Sequence, residues 1–117
     1  MKIYTLKSCD TCRKSIKELR ESGFEPQIID VRNDGVSVSE LTSFFSQFGE
    51  KLINRRSTTW RNLSNVQRTS GAIDLLASNP TLMKRPIIRL QNELFLGWDD
   101  SVRNAVLLAE KNNIKPK

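Results

Sequence analysis

The segment from Lys2 to Leu19 constrains the fold more than any other part of the chain. Residues 2–6 (Lys2, Ile3, Tyr4, Thr5, Leu6) are rich in strand formers. A short polar turn follows, Lys7-Ser8-Cys9-Asp10, and from Thr11 the period changes. Cys12, Ile16 and Leu19 recur at i, i+4 and i+7 among Arg13, Lys14, Lys17, Glu18 and Arg20, which predicts an amphipathic helix. Cys9 and Cys12 therefore form a C-x-x-C at a strand-to-helix junction. The start of a helix presents unpaired N–H groups and the positive end of the backbone dipole, so it stabilises an anion. A thiol there has its pKa lowered from about 8.5 toward roughly 3.5–7.5. Lys7 and Arg13 add positive charge, and Asp10 opposes them. The chemistry this predicts is thiol–disulfide exchange: Cys9 attacks a disulfide or other oxidised sulfur, and Cys12, one turn on, resolves the mixed disulfide. Two bland readings stay open, a buried core-filling role for Cys12 and a metal pair bridging two chains.

The rest of the chain supplies a compact set of elements. Gly23 is a natural stop for the first helix. Residues 27–31 read as a second strand, and Asn33-Asp34-Gly35 as a turn. Ser37-Val38-Ser39-Glu40 is a capping box, followed by an apolar face of Leu41, Phe44, Phe45 and Phe48 ending at Gly49. Residues 50–80 read as short helices: Leu52–Ile53, Trp60 to Gln67, and Gly71 to Ser78, closed by Asn79-Pro80. Residues 87–90 and 93–96 form a hairpin across Gln91-Asn92. Asp99-Asp100-Ser101 then caps a last helix carrying Val102, Ala105, Val106 and Ala109, and a polar tail begins at Asn112. The first strand–helix–strand unit should be a right-handed parallel crossover, while the hairpin is antiparallel. The expectation is an α/β fold with a four-stranded mixed sheet flanked by helices, in a single domain over residues 1–117. A chain of 117 residues can bury one core without disulfide or metal staples.

Composition excludes several chemistries. The chain has no histidine, so no imidazole base and no histidine metal site. Two cysteines cannot complete a four-ligand zinc site. No metal and no bound cofactor are expected. Met1 to Lys7 has no apolar signal region, and no apolar run approaches the ~20 residues of a membrane span. The chain reads as cytoplasmic, where thiols are kept reduced and paired cysteines serve redox chemistry. There are 19 basic and 13 acidic residues, net +6. Between Lys51 and Asn92 stand Lys51, Arg55, Arg56, Arg61, Arg68, Lys84, Arg85 and Arg89 against the lone acid Asp74. This is either a solvated basic surface or a cradle for an anion. Aromatic residues are not interleaved with these charges, which ranks nucleic acid last among anionic partners. Trp60 and Trp98 are read as packing residues.

Lys84-Arg85-Pro86-Ile87-Ile88 precedes the third strand, a position that tolerates proline. Three motifs now stand in order: Ser8-Cys9-Asp10-Thr11-Cys12-Arg13-Lys14, Asn54-Arg55-Arg56-Ser57-Thr58-Thr59-Trp60-Arg61, and Leu82-Met83-Lys84-Arg85-Pro86-Ile87. Together they resemble the arsenate reductase (ArsC) and Spx-like family of thioredoxin-fold proteins, over essentially residues 1–113. Asp30-Val31-Arg32-Asn33-Asp34-Gly35 with Thr58-Thr59-Trp60-Arg61 looks most like the YffB-type branch of glutathione-dependent thiol reductases. The resemblance implies a thioredoxin-like fold with a helical insertion at about residues 37–80. It implies that Cys9 is the catalytic cysteine, that Pro86 is cis and faces it, and that Arg85 points at the sulfur or at an anion held there. The activity implied is thiol–disulfide reduction with glutathione as co-substrate. The substrate would be a small thiol or protein disulfide, bound by Arg13, Arg56, Arg85 and Pro86.

Two departures from the family pattern bear on function. Arsenate reductases of this branch use three arginines, of which only Arg85 is matched. Asn54 takes the first position and the last falls near Gly97, which ranks arsenate turnover low. Cys12 matches the Spx-type regulators, so the alternative reading is a redox-switched transcriptional regulator with RNA polymerase as partner.

Overall fold

The computed structural model describes residues 1–113, with side chains described through residue 109. Its elements are β1 (Lys2–Thr5), α1 (Asp10–Glu21), β2 (Gln27–Asp30), α2 (Val38–Phe48), α3 (Thr58–Arg61), α4 (Asn65–Arg68), α5 (Ala72–Ser78), β3 (Ile87–Leu90), β4 (Glu93–Leu96) and α6 (Asp100–Asn113). Single 3-10 turns at Gly49–Leu52 and Pro80–Leu82 complete the set. The chain divides into two compact units, Met1–Asp30 with Arg85–Lys117, and Val31–Lys84.

The first unit is built on a mixed sheet of order β2-β1-β3-β4. β1 runs parallel to β2 and antiparallel to β3, and β3 pairs antiparallel with β4. The register sets Ile3 opposite Ile88 and Ile88 opposite Phe95, so these three share one face. That face, with Leu90, packs against Leu19 of α1, Val106 of α6 and Trp98. Tyr4 and Ile87, paired on the other face, are also buried. The parallel crossover, the antiparallel hairpin and the mixed sheet are as the sequence predicts.

Local chemistry fixes where α1 stops. Gly23 has φ +90°, its N–H donates to Arg20 O at 3.0 Å, and Phe24 N–H donates to Leu19 O at 3.0 Å. This is a Schellman stop, and Phe24 packs back into the cluster that holds Leu19. Trp98 is a core residue, as expected, and its Nε1–H donates to Glu18 Oε2 of α1 at 2.6 Å. Asp99 caps α6 by accepting Val102 N–H at 2.8 Å. On α6 one expected core position moves: Ala105 is exposed, and Leu107 packs into the cluster instead. Asn112 and Asn113, read as tail, continue α6, and residues 114–117 of that expected tail lie outside the described residues.

The second unit is the expected helical insertion. The Ser37–Glu40 capping box forms at the start of α2, which buries Leu41 and Phe44 and packs against α5. Leu52–Asn54 and Leu82–Lys84 make a short antiparallel ribbon, through Asn54 N–H to Leu82 O and Lys84 N–H to Leu52 O, both 2.8 Å. The single helix predicted from Trp60 to Gln67 is a pair of one-turn helices. Ser64 and Gln67 form a second capping box, which starts α4 afresh after α3 has ended. Trp60 is no core residue. It is half-buried between the guanidinium groups of Arg55 and Arg68, 5.3 and 5.4 Å from its ring.

Leu19 and Ala105 test this packing. Leu19→Ala removes a fully buried side chain and is expected to lower unfolding free energy in urea by about 2–5 kcal/mol. Ala105→Ser, on the exposed side of α6, should stay within about 0.5 kcal/mol.

Candidate functional site

β1 ends at Thr5, and the chain turns at once, with Cys9 N–H donating to Leu6 O at 2.9 Å. Cys9 then occupies the N-cap of α1 in an extended conformation, φ −89° and ψ 113°. The next amides of the helix need an acceptor, and one of them finds it in sulfur: Cys12 N–H donates to Cys9 Sγ at 3.4 Å. Both cysteines are free thiols, Cys9 half-exposed and Cys12 only 1% exposed. Ser15, fully buried, donates from Oγ to Cys12 O at 2.7 Å and fastens the first turn.

Arg85 opposes this pair. The Arg85–Pro86 peptide bond is cis, as the resemblance implies, and Pro86 O accepts Gly97 N–H at 2.8 Å beside the end of β4. Gly97 takes φ +85°, which glycine tolerates and other residues rarely adopt. The proline is thus tied into the hairpin, and Arg85 reaches Cys9 from it.

Burial pushes the Cys9 thiol up and is the largest single influence on it. Four smaller ones act the other way and together prevail: the Cys12 side chain and backbone N–H as hydrogen-bond partners, then the charge of Arg85 and a hydrogen bond from it. The net pKa lies below the ordinary cysteine value. Cys12 moves oppositely and is pushed up to about 12, first by burial, then by its hydrogen bond to Cys9 and the charge on that sulfur. A hydrogen bond from the Leu6 backbone and the charge of Arg85 offset only part of that rise. The pair therefore has one accessible sulfur whose ionisation is favoured and, three residues on, one buried sulfur whose ionisation is opposed.

Arg13 and Arg56, the other expected cations, belong to different units. Arg13, predicted to lower the Cys9 pKa and bind substrate, pairs with Asp10 and donates to Lys7 O at 3.1 Å. It braces the turn and cancels the acid that the sequence set against the thiolate, while Arg85 supplies the positive charge. Arg56 is an exposed residue of the second unit. Ser15 and the left-handed Gly97 carried no functional signal in the sequence. A glycine directly after a strand is the one clue to the latter. Among the described residues no group of three or more His, Cys, Asp or Glu side chains could hold a metal ion. No helix among them is long and apolar enough to cross a membrane.

The acidity argument has a direct check by site-resolved alkylation across pH. Reaction at Cys9 should rise through a midpoint below the free-cysteine value of about 8.5, because only the thiolate reacts. Cys12 should stay unmodified in that window. Arg85→Gln removes a charge that favours the ionised sulfur, so the Cys9 midpoint should move up.

Known proteins place this arrangement in context. An uncharacterized protein of Haemophilus influenzae is 41% identical over 103 residues, spanning 84% of this chain and 90% of its own. The global transcriptional regulator Spx of Streptococcus pyogenes serotype M6 is 34% identical, over 86% of this chain and 79% of its own. The solved structure of a YFFB protein superposes with a TM-score of 0.83 at 27% identity, covering 90% of this chain and 96% of that one. The fold is thioredoxin-like, a four-stranded mixed sheet flanked by helices. The ArsC family model matches residues 4–105, strand β1 through the first turns of α6 and including both cysteines, Arg85 and Pro86: this chain belongs to the ArsC family.

Proposed function

We propose that the protein is a thiol–disulfide reductase that draws its electrons from glutathione. The observation that carries this reading is the opposed acidity of Cys9 and Cys12 across one turn of α1, with Cys12 N–H on the Cys9 sulfur at 3.4 Å. The Cys9 thiolate attacks one sulfur of a substrate disulfide. A Cys9–substrate disulfide forms, and the displaced thiolate leaves and takes a proton from water. Cys9 has then lost its charge, and with it one of the influences that keep Cys12 protonated. Cys12 releases its proton to solvent and attacks Cys9 Sγ, closing the Cys9–Cys12 bond and expelling the second substrate thiolate. A glutathione thiolate opens that bond at Cys9, and Cys12 departs as a thiol. A second glutathione attacks the mixed disulfide, giving glutathione disulfide and the Cys9 thiolate. Arg85 steadies the negative charge each time Cys9 attacks or leaves. Arg85, which hydrogen-bonds the sulfur, and the cis-Pro86 that follows it bind the substrate chain, with Arg13 at the rim.

A redox-switched regulator is the second reading, favoured by the 34% identity to Spx. There the Cys9–Cys12 bond would control binding to RNA polymerase and turn over no substrate. Arsenate reduction ranks below both, since Asn54 and Gly97 stand where arginines would be needed.

Two variants separate these readings. Cys9→Ser should bring glutathione-coupled disulfide reduction to background, and Cys12→Ser should accumulate mixed disulfides on Cys9, identified by mass spectrometry. Trapped small thiols or enzymes support the reductase. An RNA polymerase complex that requires the oxidised pair, with no turnover of glutathione-linked substrates, would replace it with the regulator.

A further inference from the structure

The second unit carries a concave basic pocket of about 680 Å³, a size that accommodates a small molecule. Lys51, Arg55, Arg56 and Lys84 line it, with Glu50 as the one acid and Ile53 as part of the floor. Glu50 is already engaged with Arg55 at 2.5 Å. Lys51, Arg56 and Lys84 make no ion pair among the described residues. Like charges held around a concavity repel one another, and the wall concentrates their field inward, so the arrangement favours an anion in the middle.

The frame that holds these cations is fixed. The ribbon beneath them buries Leu52, Ile53, Leu82 and Met83 at no more than 4% exposure. Asn54 Oδ1 accepts Arg56 N–H at 3.1 Å, and Ser57 Oγ donates to Asn54 O at 2.8 Å, so the turn bearing Arg55 and Arg56 is pinned. Arg55 is held between Glu50 and the Trp60 ring. Arg55 and Arg68 both lie over the Trp60 ring and compete with a base for that stacking surface.

From this geometry we propose that the pocket is a binding site for a small polyanion carrying two or more carboxylate or phosphate groups. Lys51, Arg56 and Lys84 meet the charges, and Arg55 closes one wall. The site needs no contribution from the cysteine pair and stands whether or not that pair exchanges disulfides.

Titration of the full chain with citrate and with tripolyphosphate, at low ionic strength and by calorimetry and amide NMR, tests the proposal. Saturable one-to-one binding is expected, weakening as salt is added, with shifts centred on the amides of Lys51, Asn54, Arg56 and Lys84. Binding of citrate alone assigns a polycarboxylate, of tripolyphosphate alone a polyphosphate. The Lys51→Ala/Lys84→Ala pair and Arg56→Ala should each weaken it by about tenfold or more. The control pair Lys14→Ala/Lys17→Ala, exposed on α1, should change it less than about twofold. These cations are exposed, so each variant should keep the circular dichroism spectrum of the parent chain. An absence of saturable binding, or an equal loss in the control pair, overturns the proposal. So does an oligonucleotide that binds far more tightly with shifts running well beyond the pocket.

Discussion

The first turn of a helix leaves amides that need an acceptor, and where a side chain meets that need here it does so with oxygen at four helices and with sulfur at one. At α2, α3 and α4 the acceptor is a serine hydroxyl, from Ser37, Ser57 and Ser64, and at α6 it is the carboxylate of Asp99. At α1 it is the sulfur of Cys9. A hydroxyl caps without changing its charge state. A thiol is a weak acceptor until it ionises, so the same hydrogen bond that starts the helix also favours the thiolate. The start of α1 and the charge on Cys9 are therefore one event.

This coupling explains the spacing of the cysteines. An N-cap side chain meets the amide at N2 or N3, and Cys12 is N3. Its amide touches the Cys9 sulfur while its own side chain points into the buried interior, at 1% exposure. One residue thus supplies the side-chain and amide hydrogen bonds that lower the pKa of the first sulfur and also the second sulfur that can displace it. Arg85 reaches the same atom from the segment just before β3, the strand that pairs with β1, so the thiolate is supported by local backbone and by a charge distant in sequence.

Much of this was legible in the sequence, because it rests on local rules. The C-x-x-C at a change of period, the Ser37–Glu40 box, the Gly23 stop and the Gln91-Asn92 hairpin all read directly, since each is decided within a few residues. The misreadings share a cause. Trp60 to Gln67 looked like one helix because periodicity outweighed the Ser64 cap that restarts it. Ala105 looked like core because small apolar residues fit a stripe, whereas the larger Leu107 packs against the buried cluster. Arg13 looked like the cation for Cys9 because it is near in sequence, but Asp10 is nearer still and claims it. Arg85 was legible as a site residue only through the family resemblance, since nothing local shows that β3 lies beside β1.

The same geometry decides which groups stand beside the sulfur. A tetrahedral dianion needs several fixed cationic donors around one point, and beside Cys9 the sheet supplies Arg85. Gly97, at one family arginine position, sits at φ +85°. No atom lies within 4 Å of an added Cβ there, so what disfavours a side chain is the backbone conformation rather than lack of room. That conformation lets the Gly97 amide reach Pro86 O at 2.8 Å, which holds the cis-proline segment in place. Arg55, near the other lost arginine at Asn54, is occupied by Glu50 and Trp60. With Gly97 placed to support the proline rather than to carry a cation, the two Cys12 hydrogen bonds and the Arg85 guanidinium act together on the half-exposed sulfur and favour its thiolate.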